Sequence, residues 1–478
     1  MKRTLARFFS AVTLLSLLGA GCTKGLSPEV QKASGRVTLN VWGAVDDIDV
    51  YKDAFAKYRG LHPNVVLNFR RLRLEEYEDR LLNAFAEDRG PDIFLVHNTW
   101  VGKYLGKTVP MPPSTKVAYA VTAGTIKKET TWELRTEPTI TLRDFKDQYA
   151  DAVVRDTVRK LQVPLHGSTD PNATIKQERV VAAPIWVDTL ALYYNKDLLN
   201  AAGIPTPPEH WDQFQEQVKK LTKLDADGKI IESAVGMGTS ANVERSTDIL
   251  SALMMQNGAQ MAEPNGNPTF DLSPDSGTGR RETPPAYQAL EFYTDFANPA
   301  KETYTWNAEQ PSSLEAFIQG KTAFFFGYSY HYDQIRSRGP KLNLGITKLP
   351  TIEGNPNKNI ANYWMWVVSK KSTDADVSWN LLNFLMKADT SKALLASMKR
   401  PAARKGLLAD QFADETVGVF ASQVLTAQSW YLGNNAQVVD NAFATLIDAA
   451  LAGGTRINEA MQFASNQIRQ TMYTRTDE

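Results

Sequence analysis

The feature that most constrains the fold is an alternation of strand and helix patterns near the start of the chain. Residues 37–41 alternate apolar and polar side chains as a half-buried strand does, and residues 51–58 carry aromatic side chains at helical spacing. A strand pattern at 65–69, a helix pattern at 74–85 and a strand pattern at 93–96 follow. This βαβαβ succession is the unit of a doubly wound, mostly parallel sheet, and it predicts an α/β fold.

The length of the chain predicts more than one lobe. It has 478 residues, and a single hydrophobic core stops growing at roughly 250–300 residues. Its hydrophobic content of 43% and charged content of 22% are typical of a soluble globular protein. Lysine plus arginine and aspartate plus glutamate both total 53, so no excess charge attracts nucleic acid, which we do not expect as a partner.

Residues 1–22 have the pattern of a secretory signal. A basic start is followed by an apolar core at 8–18, too short for a permanent transmembrane helix, and by small residues ahead of Cys22. This arrangement resembles a bacterial lipoprotein signal, so we predict lipidation of Cys22 and a flexible tether at 23–35. Cys22 is the sole cysteine and can form no intramolecular disulfide. The alternative is an ordinary secretory signal with an incidental cysteine.

The rest of the chain shows further strand and helix patterns, with less regular stretches near 105–178 and 257–285. A nearly continuous apolar run at 180–195 predicts a buried strand or strand pair. A helix is expected near 141–162, and the chain from 374 onward is mostly helical in pattern. Other helices are predicted at 211–221, 285–297 and 311–319, and other strands at 322–326, 344–348 and 362–369.

Clusters of polar and aromatic residues follow two of the predicted strands. Trp42, Asp46 and Asp47 follow the first strand, and Asn98, Thr99 and Trp100 follow the third. In open α/β sheets, ligands bind beyond the carboxyl ends of the strands. Carboxylate and amide groups can hydrogen-bond the hydroxyls of a polyol, and an indole face can cover its C–H surface. The alternative is structural: Asp46 or Asp47 caps the next helix and Trp42 belongs to the core.

Catalytic signatures are scarce in the sequence. It has neither a phosphate-binding G-x-x-x-x-G-K-[ST] motif nor a G-x-S-x-G nucleophile motif. Its five histidines are scattered without the paired spacing of metal ligands, and its one cysteine lies in the signal. We therefore predict no catalytic residue, no metal and no cofactor.

Four motifs give the chain a family resemblance. They are G-P-D-I at 90–93, P-I-W-V-D-T-L-A-L-Y-Y-N-K-D-L-L at 184–199, A-G-I-P at 202–205 and F-x-x-G-K-T-A at 317–323. With these motifs the chain resembles bacterial extracellular solute-binding protein family 1, the substrate-binding lipoproteins of ABC importers, in particular its sugar-binding branch. Their order and spacing match over most of residues 37–390.

The resemblance implies a two-lobed periplasmic-binding-protein fold of type II. Each lobe is then a doubly wound sheet flanked by helices, the lobes are joined by a hinge, and the ligand lies in the cleft between them. The implied first lobe is 36–186 plus 363–415, and the implied second lobe is 187–362 plus 416–478. The two crossings then lie near Trp186–Asp188 and Asn362–Trp364.

The resemblance also implies which residues face the cleft. They are Asp46, Asp47, Asn98, Thr99, Asp188, Tyr328, Tyr330, Trp364 and Trp366, with Trp306 and Trp430 as further candidates from the second lobe. We predict that Trp42 and Trp100, which follow the strands, and Trp186 at the first crossing also bind the ligand. Asp188 is expected to accept hydrogen bonds from ligand hydroxyls. Because Trp364 and Trp366 are two residues apart on a strand, they share a face, and we expect both in the cleft or both in the core. Thr99 departs from some maltose-type relatives, which carry a basic residue there.

The implied function is that of a solute-binding component of an ABC importer. It binds a sugar or oligosaccharide by hinge closure and delivers it to the membrane permease. The resemblance further implies a monomer outside the cytoplasm, held at the membrane by its lipid. Two alternatives stay open. One is a binding protein for a non-sugar solute, and the other is a secreted carbohydrate-active enzyme whose carboxylate pair comes from Asp46, Asp47, Asp92 and Asp188.

Overall fold

The structure, a computed structural model, describes residues 26–123, 129–164, 170, 173–273, 283–453 and 457–472. The predicted signal segment with Cys22 lies outside the described residues. Within the described part of the chain, no helix is long and apolar enough to cross a bilayer.

The first part of the chain alternates helices and strands and then forms two hairpins. Its elements are α1 (Pro28–Ala33), β1 (Val37–Gly43), α2 (Ile48–Leu61), β2 (Val65–Arg71), α3 (Leu74–Ala86), β3 (Ile93–His97), α4 (Val101–Tyr104), β4 (Thr108–Val109), β5 (Ser114–Ala123), β6 (Glu129–Pro138), α5 (Leu142–Gln148), α6 (Asp151–Thr157), β7 (Val158–Pro164) and β8 (Thr174–Val180).

The remaining elements are more helical towards the end of the chain. They are β9 (Ala183–Pro184), β10 (Asp188–Thr189), β11 (Ala191–Asn195), α7 (Lys196–Ala201), α8 (Trp211–Leu221), β12 (Lys223–Leu224), β13 (Ile230–Val235), α9 (Ser246–Gln256), α10 (Pro285–Asp295), α11 (Ser313–Ile318), β14 (Thr322–Gly327), α12 (His331–Arg338), β15 (Leu344–Lys348), β16 (Asn359–Asn362), β17 (Trp364–Ser369), α13 (Ala375–Met386), α14 (Ala388–Met398), α15 (Lys405–Leu408), α16 (Val417–Ala421), β18 (Ala427–Gln428), α17 (Ala436–Ala452) and α18 (Ile457–Gln470).

A six-stranded sheet forms the first lobe, in the order β2-β1-β3-β17-β4, with β9 also paired to β17. Strand β1 runs parallel to β2 and β3, and β17 runs antiparallel to β3. Helix α2 packs on one face, where the rings of Tyr51 and Trp366 have centroids 5.6 Å apart. Helix α3 packs on the other face, where Phe85 and Phe94 lie 5.2 Å apart. The predicted βαβαβ succession is confirmed.

A five-stranded sheet forms the second lobe, in the order β12-β13-β14-β11-β15. Strand β14 is buried along its whole length, runs parallel to β13 and runs antiparallel to β11. Its Phe324 and Phe326 rings pack against Phe214 of α8, with centroids 5.4 and 5.5 Å apart. Apolar side chains of α9, α10 and α17 complete the same cluster.

The lobes are joined at a three-stranded arrangement, β10-β16-β18, in which Asp188 pairs with Asn362 in antiparallel register. The buried apolar cluster of the first lobe draws on residues 39–187 and 361–427, and that of the second on residues 190–360 and 430–468. The predicted two-lobed α/β architecture is confirmed. The first cluster continues to Ala427, whereas we placed the last change of lobe at 415/416, and the lobe limits themselves stay a prediction.

Two segments differ from the sequence prediction. Part of the predicted tether is helix α1, which Ser27 caps by accepting from the Val30 N–H at 3.3 Å, and whose Ala33 carbonyl accepts from Asn64 Nδ2 at 3.1 Å. The single helix expected over 141–162 is two short helices, α5 and α6, and the second ends at Thr157 because residues 158–164 pair as strand β7 with β8. A second hairpin, β5–β6, also lies in the stretch that had no clear pattern.

Candidate functional site

A cleft of about 1510 Å³ lies between the two lobes. The first lobe lines it with the segments that follow β1, β2 and β3, and the second lobe lines it with the starts of α9, α12 and α17. The carboxyl ends of the parallel strands therefore meet at the cleft, as expected for an open α/β sheet. Nine predicted residues line it: Asp46, Asp47, Asn98, Thr99, Trp100, Trp186, Tyr330, Trp364 and Trp430.

Asp46 is engaged in a nearly buried ion pair. Its Oδ1 lies 3.0 Å from Arg400 Nη2, and its Oδ2 accepts from Tyr51 Oη at 3.2 Å and from Arg400 Nη1 at 3.3 Å. The guanidinium of Arg400 in turn lies over the Trp186 ring, 4.2 Å from its centroid. Arg400 therefore joins the segment after β1 to the first crossing.

Asp47 is more exposed than its neighbour. Its Oδ2 accepts from Arg71 Nη1 at 3.0 Å, and this hydrogen bond lowers the pKa of Asp47. Asp47 precedes α2, but its side chain makes no capping hydrogen bond to that helix. Its carboxylate is therefore held at the mouth of the cleft by a cation of the first lobe.

Aromatic rings of the first lobe form a cluster beside the cleft. The Trp100 and Trp364 rings lie 5.0 Å apart at 76°, and Trp364 also contacts His97 at 5.3 Å and Tyr77 at 6.0 Å. Such edge-to-face arrangements are favoured by the ring quadrupoles. Trp100 and Trp364 are partly exposed, so part of their apolar surface is available to a ligand.

Two aromatic residues of the second lobe also line the cleft. Tyr330 stacks on Tyr328, with centroids 5.8 Å apart and planes 18° apart. Trp430 is nearly buried, and its Nε1 lies 3.4 Å from Ser251 Oγ. The cleft thus has aromatic surface on both walls.

Asn98 reaches residues that lie far from it in the sequence. Its Nδ2 lies within 3.3 Å of Asp156 Oδ2, the Ala361 carbonyl oxygen and Ser429 Oγ. Asp156 also accepts from Tyr363 Oη at 2.8 Å, and burial raises the pKa of Asp156 to about 6. The NH₂ group of Asn98 therefore connects β3 to two side chains and to the backbone beside the second crossing.

Family comparison gives this geometry a context. Residues 139–392, just over half of the chain, match the family described as bacterial extracellular solute-binding protein. The chain belongs to this family. Because the family is extracellular, this solute-binding protein acts outside the cytoplasm.

Named relatives agree with this assignment. A protein of Brucella abortus (strain 2308) described as a binding protein is 26% identical over 214 residues, which is 43% of this chain and 46% of that one. The galactooligosaccharide-binding protein of Bacillus subtilis (strain 168) is 22% identical over 405 residues, 84% of this chain and 81% of that one. The GacH receptor of Streptomyces glaucescens GLA.O, solved unliganded and with acarbose, has 16% identity and a TM-score of 0.65, covering 91% of this chain and 98% of that one. This last likeness shows the fold.

Trp42 of the solute-binding protein lies outside the cleft, contrary to prediction. It borders a separate hollow of about 390 Å³ with Asn40, Asn68 and Arg70, and the Arg70 guanidinium lies over its ring at 5.1 Å. The reason is its position in β1: Trp42 points to the sheet face that carries Asn40, while the chain reaches the cleft only after Gly43.

Trp306 and Trp366 are also placed outside the cleft, in the cores of the two lobes. Trp306 is fully buried and its Nε1 lies 3.1 Å from Asn242 Oδ1. Trp366 is 3% exposed and packs against Tyr51 and Phe69. The expectation that Trp364 and Trp366 lie either both in the cleft or both in the core is wrong. Strand β17 begins at the cleft with Trp364, and Trp366 lies two residues further into the sheet.

Asp188 and Tyr328 are buried beside the cleft and do not line it. Asp188 accepts from the Ser329 N–H at 2.9 Å, from Ser329 Oγ at 2.6 Å and from the Thr189 N–H at 2.9 Å. Its oxygens are thus occupied by the protein, which contradicts the expected exposure to a ligand. Tyr328 is fully buried and donates to Asp248 Oδ2 at 2.7 Å.

Among the cleft residues that the sequence prediction missed are Arg245, Asp248 and Asn362. Arg245 precedes α9 with a left-handed φ of 58° and lies 2.7 Å from Asp248 Oδ2. A signal for this end of α9 was present, since Ser, Thr and Asp at 246–248 precede an apolar run as helix starts do. Asn362 was expected at the second crossing, but nothing in the local sequence marked it as a cleft residue, because its partners are more than 100 residues away.

No group of three or more histidine, cysteine, aspartate or glutamate side chains is arranged to hold a metal ion within the ranges that the structure describes. The polar groups of the cleft are carboxylates, amides, hydroxyls, imidazoles, guanidinium groups and ammonium groups, together with aromatic faces. This combination can hydrogen-bond and cover a polar, ring-shaped solute.

Proposed function

We propose that this protein binds a sugar or oligosaccharide in the cleft between its lobes. The observation that carries the proposal is that aromatic residues of both lobes line one cleft, Trp100 and Trp364 from the first and Tyr330 and Trp430 from the second, together with hydrogen-bonding groups. Sugar rings present C–H faces to aromatic rings and hydroxyls to carboxylates and amides.

Four ion pairs in the cleft favour an uncharged ligand. Asp46 is paired with Arg400, Asp47 with Arg71, and Asp248 with Arg245. Lys103 pairs with Glu78 in the same cleft at 2.7 Å. A charged solute would have to compete with these internal pairs, whereas hydroxyl groups can share the lone pairs that remain.

The relatives support the same class of ligand. One relative, matched over 84% of this chain, is named a galactooligosaccharide-binding protein, and the GacH receptor was solved in complex with acarbose. Family membership supports a binding role.

The proposed mechanism is hinge closure followed by delivery to the permease of an ABC importer. The lobes, taken as 36–186 plus 363–415 and 187–362 plus 416–478, would close about the crossings that pair Asp188 with Asn362. A ligand that contacts both walls favours the closed state by its differential affinity. We further propose that the protein works as a monomer, held at the membrane by a lipid on Cys22.

The carbohydrate-active enzyme is the weaker alternative. Of the carboxylates that it would need, Asp46 is paired with Arg400 and Asp188 is saturated by Ser329 and Thr189. Asp92 accepts from the Asn40 N–H at 2.9 Å and does not line the cleft. A hydrolase needs one carboxyl free to protonate a leaving group and a second free to act as base or nucleophile.

Isothermal titration calorimetry with galactotriose, maltotetraose, acarbose, tagatose, spermidine and a tetrapeptide tests the proposal. We expect one-to-one binding of at least one saccharide. At a concentration 100 times its dissociation constant, that saccharide should raise the free energy of unfolding of the protein by about 2.7 kcal/mol. Chromatography of the same mixtures should show the sugar unchanged. Binding of spermidine or the peptide alone, or release of sugar products, would contradict the proposal.

A further inference from the structure

Asn362 lies at the second crossing and contacts one residue of each lobe. Its Nδ2 donates to Oδ2 of Asp248 in the second lobe at 3.4 Å. Its Oδ1 lies 3.2 Å from Nε2 of His97 in the first lobe. Asn362 also lines the cleft, and 8% of its surface is exposed.

The orientation of the Asn362 amide is fixed by Asp248. The Oδ2 of Asp248 already accepts from Arg245 Nε at 2.7 Å and from Tyr328 Oη at 2.7 Å. A carboxylate oxygen offers only lone pairs, so the amide NH₂ must face Asp248 and the amide oxygen must face His97. That oxygen is also only an acceptor, so the hydrogen between the two residues belongs to Nε2 of His97.

The position of the hydrogen on His97 determines the direction of its hydrogen bond with Thr99. Burial lowers the pKa of His97 to about 4, so the ring is neutral near pH 7 and carries one hydrogen. With that hydrogen on Nε2, Nδ1 is an acceptor. Thr99 Oγ1 lies 2.8 Å from Nδ1, and the Thr99 N–H lies 3.4 Å from it. The hydroxyl hydrogen of Thr99 must therefore point at His97.

We propose that this hydrogen-bond chain, from Asp248 through Asn362 and His97 to Thr99, makes Thr99 a hydrogen-bond acceptor for the bound ligand. The Thr99 hydroxyl lines the cleft beside Trp100, and its own hydrogen is already used. The ligand must then present a donor, such as a free hydroxyl, to this oxygen. Thr99 is the contact residue, and Asn362 is a positioning residue that acts through His97.

This inference rests on the proposed function and narrows it. The cleft should prefer a sugar with a free hydroxyl at this point over the same sugar with a hydrogen or a methoxy group there. The deoxy analogue leaves the Thr99 oxygen unpaired, and the methoxy analogue offers it only lone pairs.

The tautomer of His97 tests the chain without any ligand. Long-range ¹H–¹⁵N correlation spectra of the full chain, with the His97 signal assigned by its loss in His97→Gln, should show a neutral ring with its hydrogen on Nε2 between pH 6 and 8. Asn362→Leu removes the acceptor and should shift the ring towards the Nδ1–H form. A wild-type ring with its hydrogen on Nδ1, or one unchanged by Asn362→Leu, would overturn the chain.

Calorimetry tests the role of Thr99 with the saccharide of the panel that binds the wild type most tightly. Thr99→Ser keeps the hydroxyl and should bind within about twofold of the wild type, whereas Thr99→Val should bind about tenfold more weakly. Asn362→Leu should also weaken binding, and should add little in a Thr99→Val background, because both changes remove the same contact.

Two outcomes would contradict the ligand half of the inference. One is equal affinity of Thr99→Ser and Thr99→Val, and the other is fully additive losses for Asn362→Leu and Thr99→Val. If no saccharide of the panel binds the wild type, the proposed function and this half of the inference both fail, and the His97 spectra still decide the chain.

Discussion

The guanidinium carbon of Arg400 lies 4.2 Å from the centre of the Trp186 ring. The same guanidinium pairs with Asp46, and only 10% and 6% of the two charged side chains are exposed. The guanidinium thus lies on the indole face and pairs with the carboxylate along the first-lobe wall of the cleft. These contacts join residues 46, 186 and 400, which are distant in sequence, so they fix how the first crossing sits against the end of β1.

Arg400→Ala should strongly destabilise the protein. It leaves the Asp46 carboxylate buried without its cation, a change that typically costs about 3–5 kcal/mol. Arg400→Lys keeps the charge and loses the two-pronged contact and the flat stacking surface, so it should cost about 1–2 kcal/mol. The free energy of unfolding in urea measures both.

Lys392→Ala serves as the control for Arg400, because it breaks an ion pair with Asp410 that is mostly exposed on both sides. Exposed pairs contribute little, so its unfolding curve should nearly overlay that of the wild type. Equal losses from Lys392→Ala and Arg400→Ala would show that the burial of the Asp46 pair has no energetic consequence.

The pH dependence of stability should report the buried Asp188. Burial raises its pKa to about 6 against the opposing hydrogen bonds of Ser329, whereas the unfolded group ionises near 3.8. Between about pH 4 and pH 6 the folded state therefore holds a proton that the unfolded state has released. The contribution of Asp188 to the free energy of unfolding is fully present below pH 4 and falls by about 3 kcal/mol as the pH rises to 6.

Comparison with Asp188→Asn isolates that effect. Asp156, whose pKa burial also raises to about 6, and His97, whose pKa burial lowers to about 4, titrate in both proteins and cancel in the difference. The free energy of unfolding of the wild type minus that of Asp188→Asn should decrease between pH 4 and 6 and stay constant from pH 7 to 8. A difference that is flat across pH 4 to 6 would contradict a protonated, buried Asp188.

The fold was predictable where burial imposes a period on one short segment. Strand β1 and helix α2 each show their buried face in the local sequence, as do β2, α3 and β3, so the parallel sheet could be predicted from fewer than 70 residues. The hairpins β5–β6 and β7–β8 could not, because β6, β7 and β8 have almost no buried side chains, and the buried side chains of β5, at 115 and 117–119, do not alternate along the strand. The joining of the lobes came from family resemblance.

The site was predictable only in part, for a physical reason. Residues that directly follow a strand, such as Thr99 and Trp100, reach the cleft because strand ends meet there. The use of a side chain depends on partners that the local sequence does not contain. Asp188 is saturated by Ser329, 141 residues later, and Trp366 differs from Trp364 only in its depth along β17.

Trp100 and Trp42 should differ in their effect on ligand binding. Trp100→Ala removes an indole face from the cleft, and covering roughly 50–100 Å² of such a face stabilises a complex by about 1–2 kcal/mol. We therefore expect a loss of tenfold or more in the affinity for the tightest-binding saccharide. Trp42→Ala changes a tryptophan of the same lobe that lies outside the cleft, and its affinity should match the wild type. Equal losses of saccharide affinity in Trp100→Ala and Trp42→Ala, measured by calorimetry, would contradict the placement of the site.

Gly102 of α4 marks a direct contact between the lobes. A Cβ added there would lie 2.2 Å from the Gly433 carbonyl oxygen and 2.7 Å from that of Leu432. These are backbone atoms of the second lobe, so a flexible side chain cannot move aside to make room. Gly106, one turn further along, has no atom within 4 Å of the same added carbon.

Gly102→Ala should force the lobes apart at this contact, and Gly106→Ala should not. We expect Gly102→Ala to lower the free energy of unfolding by about 1–3 kcal/mol, as overpacking does. It should also weaken saccharide binding and raise the radius of gyration in small-angle X-ray scattering, because the second-lobe segment that contains Trp430 must move away from the first lobe. Gly106→Ala should be neutral or stabilise by up to about 1 kcal/mol, since it restricts the unfolded chain without a clash. If both variants instead scatter and bind as the wild type does, the backbone at 432–433 shifts locally without moving the second lobe, and this contact does not set the width of the cleft.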